Sequence, residues 1–375
     1  AFGLFTQQDL LDRVRNLILP DKEGPANRYN IKKVFVLSRV TIGADVAITS
    51  IIIERSKKLF PNARICFLAN SKNYELFGGE ENIKIIPMDY QRRGGLISRL
   101  ESWLHALESI NSETKDMEPG EYAIIDSNSR VTQLGLLPLV KKDTGYYLFE
   151  PLAHADEEMR KLGEDVNEWL NKVFEGTIED FTYPALSVPA RYNEAAKGFY
   201  QKLFNNKEFA VTVNFGVGGN DDKRVSDDFE FEVVLHLIEQ GAKVILDEGF
   251  GEDEIERTER LIDRLKARGK AIMRVNGNLA FTAGPKPDLI TYKGGIGQFA
   301  ALISQSQFYV GYDSMGQHVA AALEIPELVV FNGYPTEKFS WKWHPYGKGK
   351  IKIIHAEGKA EKDVLESTKK ILSML

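Results

Sequence analysis

A chain of 375 residues has room for two domains of ordinary size, each with its own core. With 43% hydrophobic and 27% charged residues it has a soluble globular composition, and its net charge of -6, without a large basic block, excludes nucleic acid as the main partner. No apolar run approaches the roughly 20 residues of a membrane helix and no signal-peptide pattern opens the chain, so a cytoplasmic location is expected.

Leu10, Leu11, Val14, Leu17 and Ile18 recur at helical spacing and predict an amphipathic helix over Gln7–Leu19, ended by Pro20. Asp21–Asn30 reads as a polar linker, so residues 1–30 form a helical extension ahead of the first domain. From Lys32 strands and helices alternate. Val34–Ser38 is a predicted strand, Arg39–Gly43 a loop and Asp45–Phe60 a helix; Arg64–Ala69 and Ile83–Pro87 are further strands. The lone cysteine, Cys66, sits in the second of these strands, where buried packing is expected. One cysteine excludes an intrachain disulfide and any multi-cysteine metal site. Leu96–Ile110 is helical, and Tyr122–Asp126 and Gly145–Phe149 are strands.

The pattern loosens between Leu152 and Asn206, with helical pieces near Glu157–Phe174 and Asn193–Phe204, and the interdomain connection is placed there. The alternation then restarts. Phe209–Asn214, Ala242–Gly249, Ala271–Val275, Asp288–Tyr292, Phe308–Tyr312, Glu327–Gly333 and Ile351–Ile354 are predicted strands. Helices over Phe229–Gln240, Glu252–Arg268, Gly295–Ser306 and Val319–Leu323 separate them, and an aromatic loop runs through Trp341 and Trp343. Apolar strands separated by helices indicate parallel sheets covered on both faces. Two such runs, without a repeat between them, predict an α/β protein of two Rossmann-like domains facing a cleft, over residues 31–190 and 206–355.

Ligands of such sheets gather at the carboxyl ends of the strands, and four segments lie there. Ser38–Ser50 places Asp45 at a helix start, as an N-cap or as a catalytic acid. Ile125–Arg130 carries Asp126 and Arg130, residues equally suited to a turn. The loop Phe215–Arg224 has Gly216, Gly218 and Gly219 for a close-fitting backbone, with Lys223 and Arg224 to attract phosphate. Its spacing is not that of a Walker loop. In the fourth segment the strand Phe308–Tyr312 stops at Asp313-Ser314, Gly316 lets the backbone come close to a ligand, and His318 follows. A strand entering a helix N-terminus in this way is an anion site, because unpaired N–H groups point outward there.

Asp313, Ser314, His318, Ala320, Ala322, Leu323 and Pro326 form a pattern that resembles the donor-site signature of glycosyltransferase family 9, the heptosyltransferases. The resemblance extends over most of the chain after about Lys32. Ser38-Arg39 with Gly43 and Asp45 resembles the family's first loop, whose acid is the proposed general base. Tyr122–Arg130 resembles the acceptor-side segment, Lys223-Arg224 the phosphate motif, and Asp247–Leu261 the ribose-contacting segment. The chain departs from the pattern at Ala44, which separates Gly43 from Asp45, at Met315 in place of glycine, and at Val225 in place of tryptophan.

The resemblance implies the GT-B fold, with residues 359–375 packing back on the first domain. It also implies an inverting, metal-independent transfer of a sugar from a nucleotide-diphosphate donor, ADP-heptose among them, to a glycan or lipopolysaccharide-type acceptor. Asp45 would take the acceptor's proton. Gly218, Lys223, Arg224, Glu252, Asp313, Ser314, Gly316 and His318 would hold the donor, with Glu254 as the other choice for the ribose, and Asp126 and Arg130 would hold the acceptor. No cofactor and no metal ligand are implied. The expected partners are the nucleotide sugar and a glycan or glycolipid acceptor, with peripheral membrane contact. Two alternatives stay open at this point: a nucleotide-sugar 2-epimerase, and a non-catalytic sugar-nucleotide-binding protein of the same fold.

Overall fold

The computed structural model describes residues 2–18, 24–25, 27–90, 94–141, 143, 145–150, 159–204, 208–281 and 286–375. The chain divides into two units, Ala1–Ser187 and Val188–Leu375. Residues 19–23, Leu152, Glu157 and Asn206, which bound several predicted elements, lie outside the described residues.

In the first unit five strands, β1 (Lys33–Leu37), β2 (Arg64–Ala69), β3 (Ile83–Pro87), β4 (Tyr122–Asp126) and β5 (Tyr146–Leu148), pair in the order β3-β2-β1-β4-β5. All four pairings are parallel. Val34 to Leu37 are wholly buried, as a strand covered on both faces requires. Cys66 lies in this core, and burial pushes its thiol up to about 11, which makes it inert. The N-terminal helix, Gln7–Ile18, is docked on this unit. Leu17 enters the core, and buried Arg13 donates to the Gly135 carbonyl, pairs with Asp143 at 2.7 Å and stands 5.2 Å from the Tyr146 ring centre.

The run from Ile42 to Leu59 is helical throughout, so the helix begins earlier than the predicted loop over Arg39–Gly43 allows. Its middle, Asp45–Thr49, is a π turn. A π turn takes up one more residue than an α turn, and the regular helix Ser50–Leu59 follows it.

The second unit has seven parallel strands: β6 (Ala210–Asn214), β7 (Lys243–Asp247), β8 (Ile272–Asn276), β9 (Leu289–Lys293), β10 (Phe308–Tyr312), β11 (Glu327–Phe331) and β12 (Ile351–His355). Their order is β12-β11-β10-β6-β7-β9-β8. The chain moves outward from β6 on one side and returns on the other with β10, so a topological switch point lies between β6 and β10, where a crevice beyond the strand ends is expected.

Two further elements complete this unit. The last helix, Glu361–Leu372, packs within it: Val364 and Leu372 join its core, and Lys369 pairs with Glu232 at 2.7 Å. Its apolar stripe faces the helix Asp227–Glu239. The aromatic segment, expected as a loop, is not all loop. Thr336 accepts the Phe339 N–H at 3.1 Å and starts the helix Glu337–Lys342. Trp341 then packs 4.8 Å from the His344 ring, itself 4.9 Å from Phe331 and 5.2 Å from His355.

Candidate functional site

In the second unit the polar groups converge where the switch point predicts. Lys223, ending a short turn over Asp221–Lys223, donates to Asp313 Oδ2 at 2.6 Å and to the Asp313 carbonyl at 3.2 Å. The other Asp313 oxygen accepts from Gln317 Nε2 at 2.7 Å. Ser314 holds the N-cap position of the helix Met315–Ala322, but its hydroxyl does not cap it. It donates instead to Asn214 Oδ1 at 3.3 Å, so it satisfies none of the outward-pointing N–H groups of the first turn. Asn214 in turn donates to Asp247 Oδ2 at 2.6 Å. Burial, with Glu254 and Glu248 nearby, pushes the Asp247 carboxyl up to about 7. Asn214, Ser314 and Asp247 thus link the carboxyl ends of β6, β10 and β7.

In the first unit Asp45 is fully buried. Its Oδ1 accepts from the Arg39 backbone N–H at 2.8 Å and Thr49 at 2.9 Å, and its Oδ2 from Ser38 at 2.6 Å and Asn73 at 3.3 Å. Burial raises its pKa to about 6 despite these four donors. Asp45 is not an N-cap, since it lies inside the helical run and Thr41 holds the N-cap position. Its carboxylate reaches back and pins the loop that leaves β1.

Asp126 is likewise committed. It accepts from the Ser129 N–H at 2.5 Å and from the Thr132 and Tyr146 hydroxyls at 2.6 Å each. It organises the turn after β4, whereas Arg130 on the same turn is exposed. Among the described residues no group of three or more His, Cys, Asp and Glu is placed to hold a metal ion, and no helix is long and apolar enough to cross a membrane.

Residues 216–372 match the family model for glycosyltransferase family 9 (heptosyltransferase). The chain carries a family 9 glycosyltransferase domain. No curated protein matches the sequence. Among solved structures, a glycosyltransferase family 9 protein from Veillonella parvula aligns with TM-score 0.67 at 15% identity, over 94% of this chain and 100% of its own. The Escherichia coli heptosyltransferase WaaC with ADP aligns with TM-score 0.61 at 17% identity, over 91% and 99% of the two chains. The E. coli ADP-heptose lipopolysaccharide heptosyltransferase II aligns with TM-score 0.58 at 16% identity, over 91% and 98%. At these identities the structures establish the fold, two Rossmann-like parallel sheets of the GT-B class.

Within the family 9 domain, the structure brings Lys223, Asp313 and Ser314 together and gives the other expected donor ligands different surroundings. Arg224 turns to its own unit's acids, donating to Glu230 at 2.8 Å and Asp227 at 2.6 Å, and clamps the loop to the next helix. Glu252 stands exposed on the first turn of the helix Glu252–Ala267, whereas Glu254 accepts the N–H groups of Val217 at 3.1 Å and Phe250 at 3.0 Å and ties two loops together. Gly316 is buried, and a Cβ there would overlap the hydroxyl of Tyr309. Its lack of a side chain makes room for Tyr309 on β10 beneath it. Gly316→Ala is therefore expected to cost about 2 kcal/mol, read as a lower urea midpoint with an unchanged slope. Gly218, by contrast, has φ +64° and open space around it, and glycine there sets the turn of an exposed loop.

His318 is buried beside Trp343, and burial depresses it to about 4, with Lys223 adding to the effect and Asp313 opposing it. It is neutral at neutral pH and is not the cation of an anion site. His318→Gln is therefore expected to leave unchanged any pH dependence of nucleoside diphosphate affinity between pH 6 and 8, where Asp247 titrates and His318 does not, which calorimetric titrations of both proteins at both ends would show. Because the folded value lies below the unfolded one, His318 costs stability as pH falls from about 6.5 towards about 4. Asn214 and Asp247 are the functional candidates that residue type alone did not single out. The signal for them was a polar residue ending an apolar strand next to the switch point.

Proposed function

We propose that the protein is an inverting, metal-independent glycosyltransferase that moves a sugar from a nucleoside-diphosphate sugar to a hydroxyl of a glycan or lipopolysaccharide-type acceptor. Lys223 on Asp313, beside the helix start at Ser314, carries this reading. As the glycosidic bond breaks, negative charge grows on the leaving diphosphate. The N–H groups at the start of the helix Met315–Ala322, the Ser314 hydroxyl and Lys223 stabilise that charge as fixed dipoles and a cation. Asp247 and Asn214 lie on the same strand ends and suit sugar or ribose hydroxyls. WaaC, of like fold, has been solved with ADP and with ADP-2-deoxy-2-fluoro heptose; we infer ADP-heptose as the first donor to try.

Asp45 accepts the proton of the attacking hydroxyl. With a pKa of about 6 it is ionised at neutral pH yet basic enough to serve. The amide of Asn73 is its longest contact, at 3.3 Å, and the acceptor hydroxyl takes that place on Oδ2. A single displacement inverts the anomeric carbon. Incubating the protein with ADP-heptose and a truncated lipopolysaccharide acceptor, with and without EDTA, tests the proposal. Transfer in EDTA with inverted product by NMR supports it, and transfer that needs added Mn²⁺ or Mg²⁺ overturns the metal-independent part.

One observation favours a second reading, a sugar-nucleotide-binding protein without catalysis: every Asp45 oxygen is already taken, and none is exposed. Tight nucleotide binding with neither transfer nor hydrolysis across a donor panel would decide for it.

A further inference from the structure

Arg39 Nη1 is closed off from solvent and has no hydrogen-bond partner. A guanidinium keeps its charge and presents five donors in a planar fork, so a buried nitrogen left unpaired on it calls for an explanation. The neighbouring acids are committed elsewhere. Asp45 accepts the Arg39 backbone N–H together with Ser38, Thr49 and Asn73. Asp126 accepts from Ser129, Thr132 and Tyr146, and Glu150 from Asn128 at 2.5 Å. These acids favour the Arg39 charge through space, Arg130 opposes it, and burial works against it most of all. Two guanidinium groups near enough to repel therefore stand at the carboxyl ends of the adjacent strands β1 and β4.

The backbone that presents Arg39 is also under tension. Val40 has φ +75°, a left-handed conformation that a β-branched residue rarely adopts. It is held there by Ser38, whose Oγ accepts the Val40 N–H at 2.8 Å, and by Asp45 on the Arg39 N–H. Strain of this kind persists only where its surroundings fix it, and ligand clamps are a common place for it.

We propose that Arg39, with Arg130 beside it, is an anion-recognition point that takes a phosphate or carboxylate group carried by the acceptor close to the hydroxyl that Asp45 deprotonates. The inference rests on the reading of the first unit as the acceptor side. Either group has two oxygens that match the guanidinium fork. The device gives specificity as well as affinity: an uncharged acceptor leaves the buried nitrogen unpaired and is rejected.

The test follows the Arg39 Nε–Hε resonance of the full chain by ¹H–¹⁵N NMR, assigned by its disappearance in Arg39→Gln. The probes are inorganic phosphate and glucuronate, against chloride at equal ionic strength. A saturable shift with either anion is expected, phosphate alone pointing to a phosphorylated acceptor and glucuronate alone to an acidic sugar. The response should survive in Lys223→Ala, because the second unit offers phosphate a separate place. Arg39→Gln should melt no lower than the wild type without anion, since it removes a buried guanidinium nitrogen that has no hydrogen-bond partner. No shift with either anion, or a melting point several degrees lower in Arg39→Gln, overturns the proposal. Failure of ADP to raise the melting temperature would instead sink the nucleotide-sugar reading and leave the anion point standing.

Discussion

Replacing Asp45 with Asn is expected to slow sugar transfer by about 100- to 10,000-fold while leaving nucleoside diphosphate affinity within about twofold. The substitution keeps the shape and one carbonyl acceptor, but an amide cannot take the proton of the attacking hydroxyl. A pH profile separates this role from a structural one. Wild-type transfer should rise with pH and level off above about 6, where the Asp45 carboxyl has ionised, and that acid limb should vanish in the variant. Stability carries a second signature. The folded pKa of about 6 lies above the unfolded value of 3.8, so the folded state binds more protons between them and stability falls as pH climbs through that window. The whole effect is roughly 3 kcal/mol. Asp247, raised to about 7, acts in the same direction and His318 in the opposite one, so the difference between variant and wild type, and not either curve alone, isolates Asp45. A variant that loses less than tenfold in rate but melts early would make Asp45 a pin for the loop after β1 and nothing more.

The strands were legible because a parallel sheet buried on both faces demands unbroken apolar runs, and Phe308–Tyr312 is one that the structure keeps residue for residue as β10. The start of the next helix was legible only in part: Ser314 is a good N-cap residue and holds that position, yet the apolar run placed the helix at Val319–Leu323 and it already begins at Met315. Partner choice was not legible. Lys223 and Arg224 are adjacent cations of equal promise in the sequence, yet one meets Asp313 and the other Asp227 and Glu230. Only the direction in which the short turn Asp221–Lys223 leaves each side chain decides between them. The packing role of Gly316 was hidden for a related reason. What it makes room for is Tyr309, seven positions back and one element earlier, and such a contact depends on how a helix lies over a strand. The helix Glu337–Lys342 is under two turns long, too short to show a period. Asp45 shows the remaining limit: an acid at a helix start reads as a cap, and only the π turn puts it inside the helix with its carboxylate turned back to Arg39.

Lys223→Ala should weaken nucleoside diphosphate binding by about 10- to 100-fold, the loss of one hydrogen bond to a charged group. The free protein holds that lysine on Asp313, with the lysine side chain about a quarter exposed and the aspartate nearly buried. The pair is therefore accessible from the lysine side, and an incoming diphosphate competes with Asp313 for the ammonium. Removing the lysine also leaves the Asp313 carboxylate with only the Gln317 side chain at 2.7 Å and without its counter-charge. Breaking a buried pair in this way costs about 3 kcal/mol or more, so the single variant should lose stability as well as affinity. Asp313→Asn in the Lys223→Ala background tests the account. It should restore much of the stability, because the stranded charge is gone, and none of the affinity, because the cation is still missing. Calorimetric titration with ADP and urea unfolding of the four proteins of this cycle measure both. Affinity restored together with stability would mean that Lys223 serves only to neutralise Asp313, and the diphosphate would have to find its cation elsewhere in the domain.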